Sequence, residues 1–471
     1  MLIRNADVWR TGAADVRLAG AHIVEVGRLT PRPEETMIDA RGGALLPGLH
    51  DHHIHLAALA AAQSSVRCGP PEVTTEAQFT AALDRPGNGW LRAVGYHESV
   101  AGLPDALALD ALVPRRPLRV QHRSGRMWLL NSLALEHLLV RSAPPPGLER
   151  EGSRFTGRLF DEDAWLRDAL GSAPPDFAEV GAQLATFGVT GLTDMSPAND
   201  SAIAAHFGAE RLLGHLPQRC VLAGALALEA APGVAVGPVK LHLHEAALPH
   251  FDDAVTMARS AHTAGRALAV HCTTEVELVF ALALIEQAGA LGGDRIEHAG
   301  IAPDNLMAEI ARQGLQVVSQ PHFIAERGDR YLRDVPPADH AALYRLAAFI
   351  RAGVVLAGGS DAPFGSADPW AAMRAAVSRR TADGAVIGAD EALDPEAALA
   401  LYLADPFDLA RERRIAPGES ADLCLLSLPW EKARNRLDSN DVRATWVTGS
   451  IIHQGVDQPP AQRGFGADPL T

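Results

Sequence analysis

The fold of this chain is decided by residues 47–55, Pro47-Gly48-Leu49-His50-Asp51-His52-His53-Ile54-His55. The apolar residues that lead into this segment predict a strand. Residues two apart on a strand face the same side, so His53 and His55 project together, as two imidazoles that hold one metal ion must. Two surface histidines would show the same spacing. The interpretation therefore depends on whether matching residues end other strands.

Four more residues that could bind metal stand where predicted strands end. They are Lys240, His271, His298 and Asp361. The strand candidates cover residues 44–55, 188–195, 218–224, 238–244, 267–272, 295–298, 316–320 and 354–358. Helical stretches lie between them, which predicts a (β/α)8 barrel of the TIM type, with a doubly wound open sheet as the alternative. Barrel active sites are built at the carboxyl ends of strands, where these residues lie.

The remaining segments predict two further parts. At 471 residues the chain is too long for one ordinary hydrophobic core. Both ends are rich in short strands, so we expect residues 1–46 and 408–460 to form a small β-sandwich domain beside a barrel domain of residues 47–407. Residues 60–180 are too many for one barrel connection and contain two strand-like runs, which predicts an inserted α/β subdomain.

Composition excludes several classes of function. Hydrophobic residues make up 47% of the chain and charged residues 21%, as in a soluble globular protein. The net charge of −15 argues against nucleic-acid or anionic-membrane partners, and no apolar run approaches the ~18–20 residues of a membrane span. Four scattered cysteines without a CxxC motif favour reduced thiols in the cytoplasm. We expect a small-molecule substrate, and a homodimer is compatible with the sequence.

Lysine is nearly absent from the chain. Lys240 and Lys432 are the only two, while Arg is abundant. Lys240 lies in the apolar run Pro238-Val239-Lys240-Leu241-His242, which predicts a buried strand. Only Lys has an amine that loses its proton when buried, and a neutral amine can add CO2 to become a carbamate, an anionic metal ligand. A salt bridge at the strand end is the alternative role for Lys240.

Several motifs together carry a family resemblance. They are residues 47–55, Val239-Lys240, Ile296-Glu297-His298, Gln320-Pro321-His322, Gly359-Ser360-Asp361-Ala362-Pro363 and Met127-Trp128-Leu129-Leu130-Asn131-Ser132. With these motifs the chain resembles the amidohydrolase superfamily, and within it the YtcJ-like group that includes N-substituted formamide deformylases. The resemblance covers nearly the whole chain. It is specific for the family and much less specific for the substrate.

The resemblance implies a centre of two divalent metal ions. His53 and His55 would bind the more buried ion, and His271 and His298 the more exposed one. Carbamylated Lys240 would bridge both. Zinc is the default because imidazole and oxygen ligands suit it, while Fe, Mn, Co and Ni stay open.

The resemblance gives Asp361 two roles, as a ligand of the buried metal and as the catalytic acid/base. Metal would activate a hydroxide and polarise the scissile carbonyl, and Asp361 would pass the proton to the leaving nitrogen. This implies a metal-dependent hydrolase of a C–N bond other than a peptide bond, in an amide or an N-acyl or formamide compound. Hydrolysis of an ester, lactone or cyclic imide by the same site is the alternative. A non-catalytic barrel scaffold is the least favoured reading, because every expected ligand is present.

Five further residues are candidates for substrate binding. Many relatives carry Asp-Gly-His where this chain has Ser124-Gly125-Arg126, and Arg126 could pair with a substrate carboxylate. A surface Arg is the alternative. His242 and His244 follow Lys240 on the same face, so they line the pocket unless the strand has already reached solvent. His322 could contact substrate or stabilise an oxyanion. Trp128 could form a pocket wall, against ordinary packing within the insertion.

Overall fold

The computed structural model describes residues 1–171 and 174–455. The chain divides into two compact units. One comprises Met1–Leu56 and Phe177–Thr471, and the other is Ala57–Asp176. We call the second unit the inserted unit, and the predicted subdomain of residues 60–180 stays a prediction.

The larger unit contains a barrel of eight parallel strands, numbered here in chain order. They are β1 (Leu49–Ile54), β2 (Val189–Asp194), β3 (Arg219–Gly224), β4 (Val234–His242), β5 (Leu268–Cys272), β6 (Arg295–His298), β7 (Gln316–Ser319) and β8 (Leu356–Gly358). Each strand pairs in parallel with the next one in the sequence. An open doubly wound sheet reverses its strand order at one point, and this sheet does not, so the barrel prediction is confirmed.

The first and last strands meet at a seam that two backbone hydrogen bonds hold together. The Asp361 amide donates to the His53 carbonyl at 2.6 Å, and the His55 amide donates to the Ala362 carbonyl at 2.9 Å. Gly359 allows this approach, because a Cβ there would lie 2.5 Å from the Cβ of His53. The Gly359-Ser360-Asp361 motif therefore serves barrel closure as well as the site.

Helices cover the outer face of the barrel and extend beyond it. In the larger unit they span Ala178–Thr186, Ser201–Leu212, Phe251–Thr263, Glu275–Ala288, Asp304–Arg312, His322–Asp334, Ala347–Arg351, Pro369–Ser378, Pro395–Ala400 and Trp430–Ala433. Thr274 begins one of them with a capping box to Glu277, which satisfies backbone donors at the helix start. Buried side chains of these helices and of strands β4 to β7 form one apolar core. Within the described ranges, no helix has the length and apolarity needed to cross a membrane.

Strands from both ends of the chain form one mixed sheet. They are Leu2–Val8, Gly12–Ala19, His22–Gly27, Met37–Asp39, Ala44–Pro47, Leu423–Leu426, Val442–Val447 and Ser450–Gln454. The antiparallel pairing of Ala44–Pro47 with Leu423–Leu426 joins the two ends. Ladder hydrogen bonds connect all of these strands, and Ile3, Leu423 and Trp446 share their core. Residues 456–460 of the predicted terminal domain lie outside the described residues.

The inserted unit is built on a sheet of six strands. In sheet order they are Leu148–Glu151, Arg154–Phe160, Met127–Leu130, Leu118–His122, Leu91–Tyr96 and Val66–Arg67. The helices of this segment span Leu56–Gln63, Glu76–Leu83, Glu98–Ala101, Ala106–Leu112, Ser132–Leu139 and Asp163–Leu170. Leu91–Tyr96 pairs in parallel with Leu118–His122, so the carboxyl ends of these two strands lie side by side.

Candidate metal centre

Three of the predicted ligands converge at the carboxyl end of β1. One oxygen of Asp361 lies 3.4 Å from His53 Nε2 and 3.0 Å from His55 Nε2. Ligand atoms of the three side chains all lie within 4.8 Å of one another. His53 is 1% exposed and Asp361 7%. Two imidazoles and a carboxylate around one point are a donor set that suits a divalent transition metal.

The orientation of His53 is set from behind by a buried carboxylate. Glu297 Oε2 lies 2.5 Å from His53 Nδ1, and Arg295 Nε donates to Glu297 Oε1 at 2.6 Å. Burial alone would raise the pKa of Glu297, but Arg295 and His53 outweigh it and hold the pKa below its usual value. An ionised Glu297 accepts the Nδ1 proton of His53 and directs Nε2 toward Asp361, where a bound metal ion would replace the Nε2 proton.

Asp361 is kept ionised in the same way. Burial acts to raise the pKa of Asp361, but hydrogen bonds to His53 and His55 outweigh it and hold the pKa well below the usual range. A second carboxylate, Asp51, fixes the backbone around this group, because it accepts from the amides of His53 at 3.1 Å and Ser360 at 2.9 Å. Asp51 thereby ties β1 to the loop that carries Asp361.

Lys240 is buried next to this cluster, at the end of β4. It is 7% exposed, and its Nζ atom has no hydrogen-bond partner among the described residues. Burial lowers the pKa of Lys240, although the charges of Glu297 and Asp361 act in the opposite direction. A buried amine without an acceptor is costly, which favours a neutral or chemically modified side chain.

His271 and His298 form the other side of the centre. Their rings lie 4.5 Å apart in an edge-on arrangement, and the ring of His298 lies 4.8 Å from that of His53. Gln320 Oε1 contacts His298 Nδ1 at 2.7 Å, while His298 Nε2 is buried without a partner among the described residues. Burial lowers the pKa of His298 to about 3 and also lowers that of His271. Both rings are therefore neutral at pH 7, as metal ligands must be.

Two of these residues adopt a left-handed backbone conformation. The φ angle is 72° at His298 and 51° at Asp361. Such conformations cost a non-glycine residue about 1–3 kcal/mol and cluster at functional sites. In β6 the turn at His298 also interrupts the strand alternation, so that both His298 and the preceding Glu297 reach the centre.

The predicted substrate-binding residues are placed as follows. His322 is 1% exposed, and its Nε2 contacts the Ser360 carbonyl at 2.9 Å. His242 is exposed at the end of β4, where its ring lies 4.3 Å from that of His271, and His244 is exposed two residues later. In the inserted unit, Arg126 pairs with Asp161 through two hydrogen bonds of 2.7 and 2.8 Å.

Trp128, in the inserted unit, is 4% exposed and donates from Nε1 to Asp163 at 2.9 Å. It packs in the core of that unit with Leu130 and Leu159. These contacts account for its burial. Its role as a pocket wall, like the substrate-binding roles of the other four residues, stays a prediction.

A cavity of about 650 Å³ lies at the opposite end of the barrel. It is lined by residues at the start of β3 and β4, including Arg219 and Val234, and by Arg413 from a later loop. Barrel enzymes carry their chemistry at the carboxyl ends of the strands. This cavity is therefore separate from the metal centre despite its size.

Comparison with known proteins places the chain in a family. The model of the amidohydrolase family described as Amidohydro_3 matches residues 36–453. The chain belongs to the amidohydrolase family. This confirms the predicted family, and with it the predicted class of metal-dependent hydrolase acting on carbon–nitrogen bonds other than peptide bonds.

Similar proteins cover nearly the whole of this amidohydrolase-family chain. The N-substituted formamide deformylase of Arthrobacter pascens is 25% identical over 96% of this chain and 97% of its own. The protein YtcJ of Bacillus subtilis is 25% identical over 90% of this chain and 91% of its own. The crystal structure of an uncharacterized metal-dependent hydrolase from Pyrococcus horikoshii matches with a TM-score of 0.73 and 18% identity, over 90% of this chain and 97% of that chain.

Three contributors to the site had no assigned role in the sequence analysis. Asp51 and Glu297 lie inside sequence motifs in which only the histidines were predicted to bind metal. Gln320 lies inside the motif in which only His322 was given a role. The pairing of Arg295 and Glu297, two apart on one strand, was the available signal for a buried ion pair on the inner face of β6. The hydrogen bond between Gln320 and His298 had no such signal.

Proposed function

We propose that this amidohydrolase-family protein hydrolyses the C–N bond of a small N-acyl or formamide compound at a centre of two divalent metal ions. The observation that carries the proposal is the convergence of His53, His55 and Asp361, with Glu297 behind His53. Similarity to a formamide deformylase over nearly the whole chain supports this substrate class. The four cysteines are buried and free, which supports work in the reducing cytoplasm.

The residues around the centre fit metal ions. Two buried nitrogen atoms, Lys240 Nζ and His298 Nε2, have no partner among the described residues, and metal binding would give both a role. His53, His55 and Asp361 would hold one ion, and His271 and His298 the other. Lys240, carried as a carbamate, would supply an anionic bridge to a site otherwise rich in neutral imidazoles. Zinc fits this set of nitrogen and oxygen donors.

The chain's own groups have defined tasks in this reaction. Bound metal ions supply Lewis acidity, which acidifies water and polarises a carbonyl. Asp361 is ionised and lies beside His55, so it can accept the proton of the attacking water and return it to the leaving nitrogen. Glu297 keeps the His53 ring in one tautomer throughout. His322, held by the Ser360 carbonyl, would contact the substrate.

The test combines metal content with turnover. Protein purified without chelator is assayed for metal per chain and screened against matched formamides, N-acetyl amides, esters and lactones. We expect bound metal and a preference for C–N substrates. Asp361→Asn should fold normally and lose about 10²–10⁴-fold in kcat, because Asn offers an oxygen but cannot accept a proton at neutral pH.

A matched control for that variant is Asp294→Asn. Asp294 is 0% exposed and accepts from the Leu268 amide, which leads into β5 at the amino end of the barrel. Its replacement should lower stability and leave kcat near the native value. Native turnover in Asp361→Asn, or faster hydrolysis of esters and lactones than of amides, would contradict the proposal.

A further inference from the structure

A second group of metal-competent side chains lies in the inserted unit. His97, Glu98 and His122 place ligand atoms within 4.8 Å of one another. The Nε2 atoms of both imidazoles face the same carboxylate oxygen, Glu98 Oε2, at 3.4 Å for His97 and 2.8 Å for His122. The two rings are stacked with centroids 5.8 Å apart. An ordinary ion pair needs one imidazole, whereas here two approach one oxygen.

Parallel strand pairing brings these residues together. His97 follows the strand Leu91–Tyr96, and His122 ends the neighbouring strand Leu118–His122. Tyr96 is the register partner of His122, so the two histidines leave the sheet at the same edge. The position of the three ligands is therefore set by the core of the inserted unit and not by a free loop.

The Nδ1 atoms of the two imidazoles make the same hydrogen bonds. In each case the hydroxyl of the Ser two residues later contacts Nδ1, Ser99 on His97 at 2.7 Å and Ser124 on His122 at 2.8 Å. The amide of that Ser also donates to Nδ1, at 3.1 Å in both. Two His-x-Ser segments distant in sequence thus direct both Nε2 atoms toward Glu98. The two Ser hydroxyls can also accept a proton from Nδ1, which is the hydrogen bond that orients histidines that bind metal.

We propose that His97, Glu98 and His122, all of the inserted unit, form a further divalent-metal site that takes zinc or a similar transition metal. Two imidazoles and one carboxylate are the ligand set of open zinc sites, in which water fills the remaining position. Ligand atoms at about 2.0–2.2 Å from one zinc ion lie about 3.3 Å apart across a tetrahedral angle. The observed separations of 3.4 and 2.8 Å need only small side-chain shifts.

Binding at Nε2 requires each ring to carry its proton on Nδ1. The Ser hydroxyl then accepts that proton, and the contact from the Ser amide is lost. Each ring thus exchanges one neutral hydrogen bond for a coordination bond to the ion.

The first experiment counts zinc in the full-length protein. Native protein and the double variant His97→Asn/His122→Asn are equilibrated with Zn²⁺, desalted and measured by atomic emission. Asn keeps a side-chain oxygen that accepts the Ser amide, including the helix cap that His97 provides. We expect the double variant to hold one zinc fewer per chain, whatever the occupancy of the barrel centre. His137→Ala, at an exposed histidine of the same unit, should hold as much as the native protein.

The second experiment needs no variant, so it stands even if the double variant does not fold. Native protein is treated with diethylpyrocarbonate with and without Zn²⁺, and peptides carrying each histidine are quantified by mass spectrometry. Zinc should slow modification of His97 and His122 at least ten-fold and leave His137 unchanged. Equal zinc content in the double variant, or equal modification rates with and without zinc, would overturn the proposal.

Discussion

Replacing Glu297 by Gln tests how the barrel centre is oriented. One oxygen of Glu297 accepts from Arg295 at 2.6 Å and the other faces His53 Nδ1 at 2.5 Å. Gln has one oxygen and one NH2 group, so one of these contacts loses its acceptor. Arg295 is 3% exposed and keeps its charge, so it takes the oxygen. The NH2 group then donates to His53 Nδ1, which moves the ring proton to Nε2, the atom that faces Asp361.

The magnitude follows from these contacts. Loss of the group that orients a metal-binding histidine costs about 10–100-fold in affinity, which is about 1.4–2.8 kcal/mol at about 1.4 kcal/mol per tenfold. Breaking a buried ion pair from one side costs about 3–5 kcal/mol of stability, and the remaining hydrogen bond to Arg295 places Glu297→Gln near the lower end. The Glu297→Gln variant should therefore still fold. Its urea unfolding midpoint should be lower than that of the native protein, and its zinc affinity should be weaker.

Zinc affinity is measured by competition with a chromophoric chelator, and stability by urea unfolding of the metal-free protein. His122→Asn is included throughout, so that the inserted unit does not contribute. Glu391→Gln is the matched control, because Glu391 is 1% exposed and pairs with Arg345 at 2.9 Å, a residue that is not a proposed ligand. It should lose stability and keep native zinc affinity. If Glu297→Gln also kept native zinc affinity, the orienting role of Glu297 would be refuted.

Three further predictions concern the bridge, the fold and the substrate. Lys240→Ala should lose bound metal and turnover, and added short carboxylates should restore part of both. The carbamate would be rejected if the carboxylates restored nothing and if removing CO2 during metal reconstitution of the native protein left its activity unchanged. Arg379 is 0% exposed and donates to three backbone carbonyls, so Arg379→Ala should lower the free energy of unfolding, measured by urea titration, by at least about 3 kcal/mol. The control Arg380→Ala removes an exposed neighbour and should change that free energy little. Arg126→Ala should raise KM for substrates that carry a carboxylate and leave KM for matched neutral substrates unchanged. Asp161→Asn should lower KM for the carboxylate substrates, because it frees the Arg126 guanidinium. Equal effects on both kinds of substrate would contradict the proposed contact.

The barrel could be predicted from the sequence because each strand leaves two independent signals. Buried parallel strands give short apolar runs in the sequence, and several of these runs end in a residue of a type that can bind metal. Strand alternation places His53 and His55 on one face, and this prediction needs no tertiary information. In the structure both lie next to Asp361. Lys240 was a candidate because Arg replaces Lys almost everywhere else in the chain.

The supporting groups were not predictable in the same way. The contact of Glu297 with His53 joins β6 to β1 across the barrel, and its existence depends on the closed shape. His298 and Glu297 are adjacent, and alternation allows only one of them to face inward. The left-handed conformation of His298 resolves this conflict, and local residue preferences oppose that conformation. Arg126 shows the same limit at the surface, because nothing in the sequence indicated its pairing with Asp161.

The seam between β1 and β8 would link metal binding to a late step of folding, the closure of the barrel. The hydrogen bonds from the Asp361 amide to the His53 carbonyl and from the His55 amide to the Ala362 carbonyl join segments that are far apart in the chain. Contacts of such long range are slow to form, because the intervening chain must first be ordered. An ion held by His53, His55 and Asp361 binds only a chain whose first and last strands have met. It would therefore stabilise the closed barrel, and amide hydrogen exchange along the seam would slow on metal loading far more than exchange within the β2–β3 ladder, whose strands carry no proposed ligand.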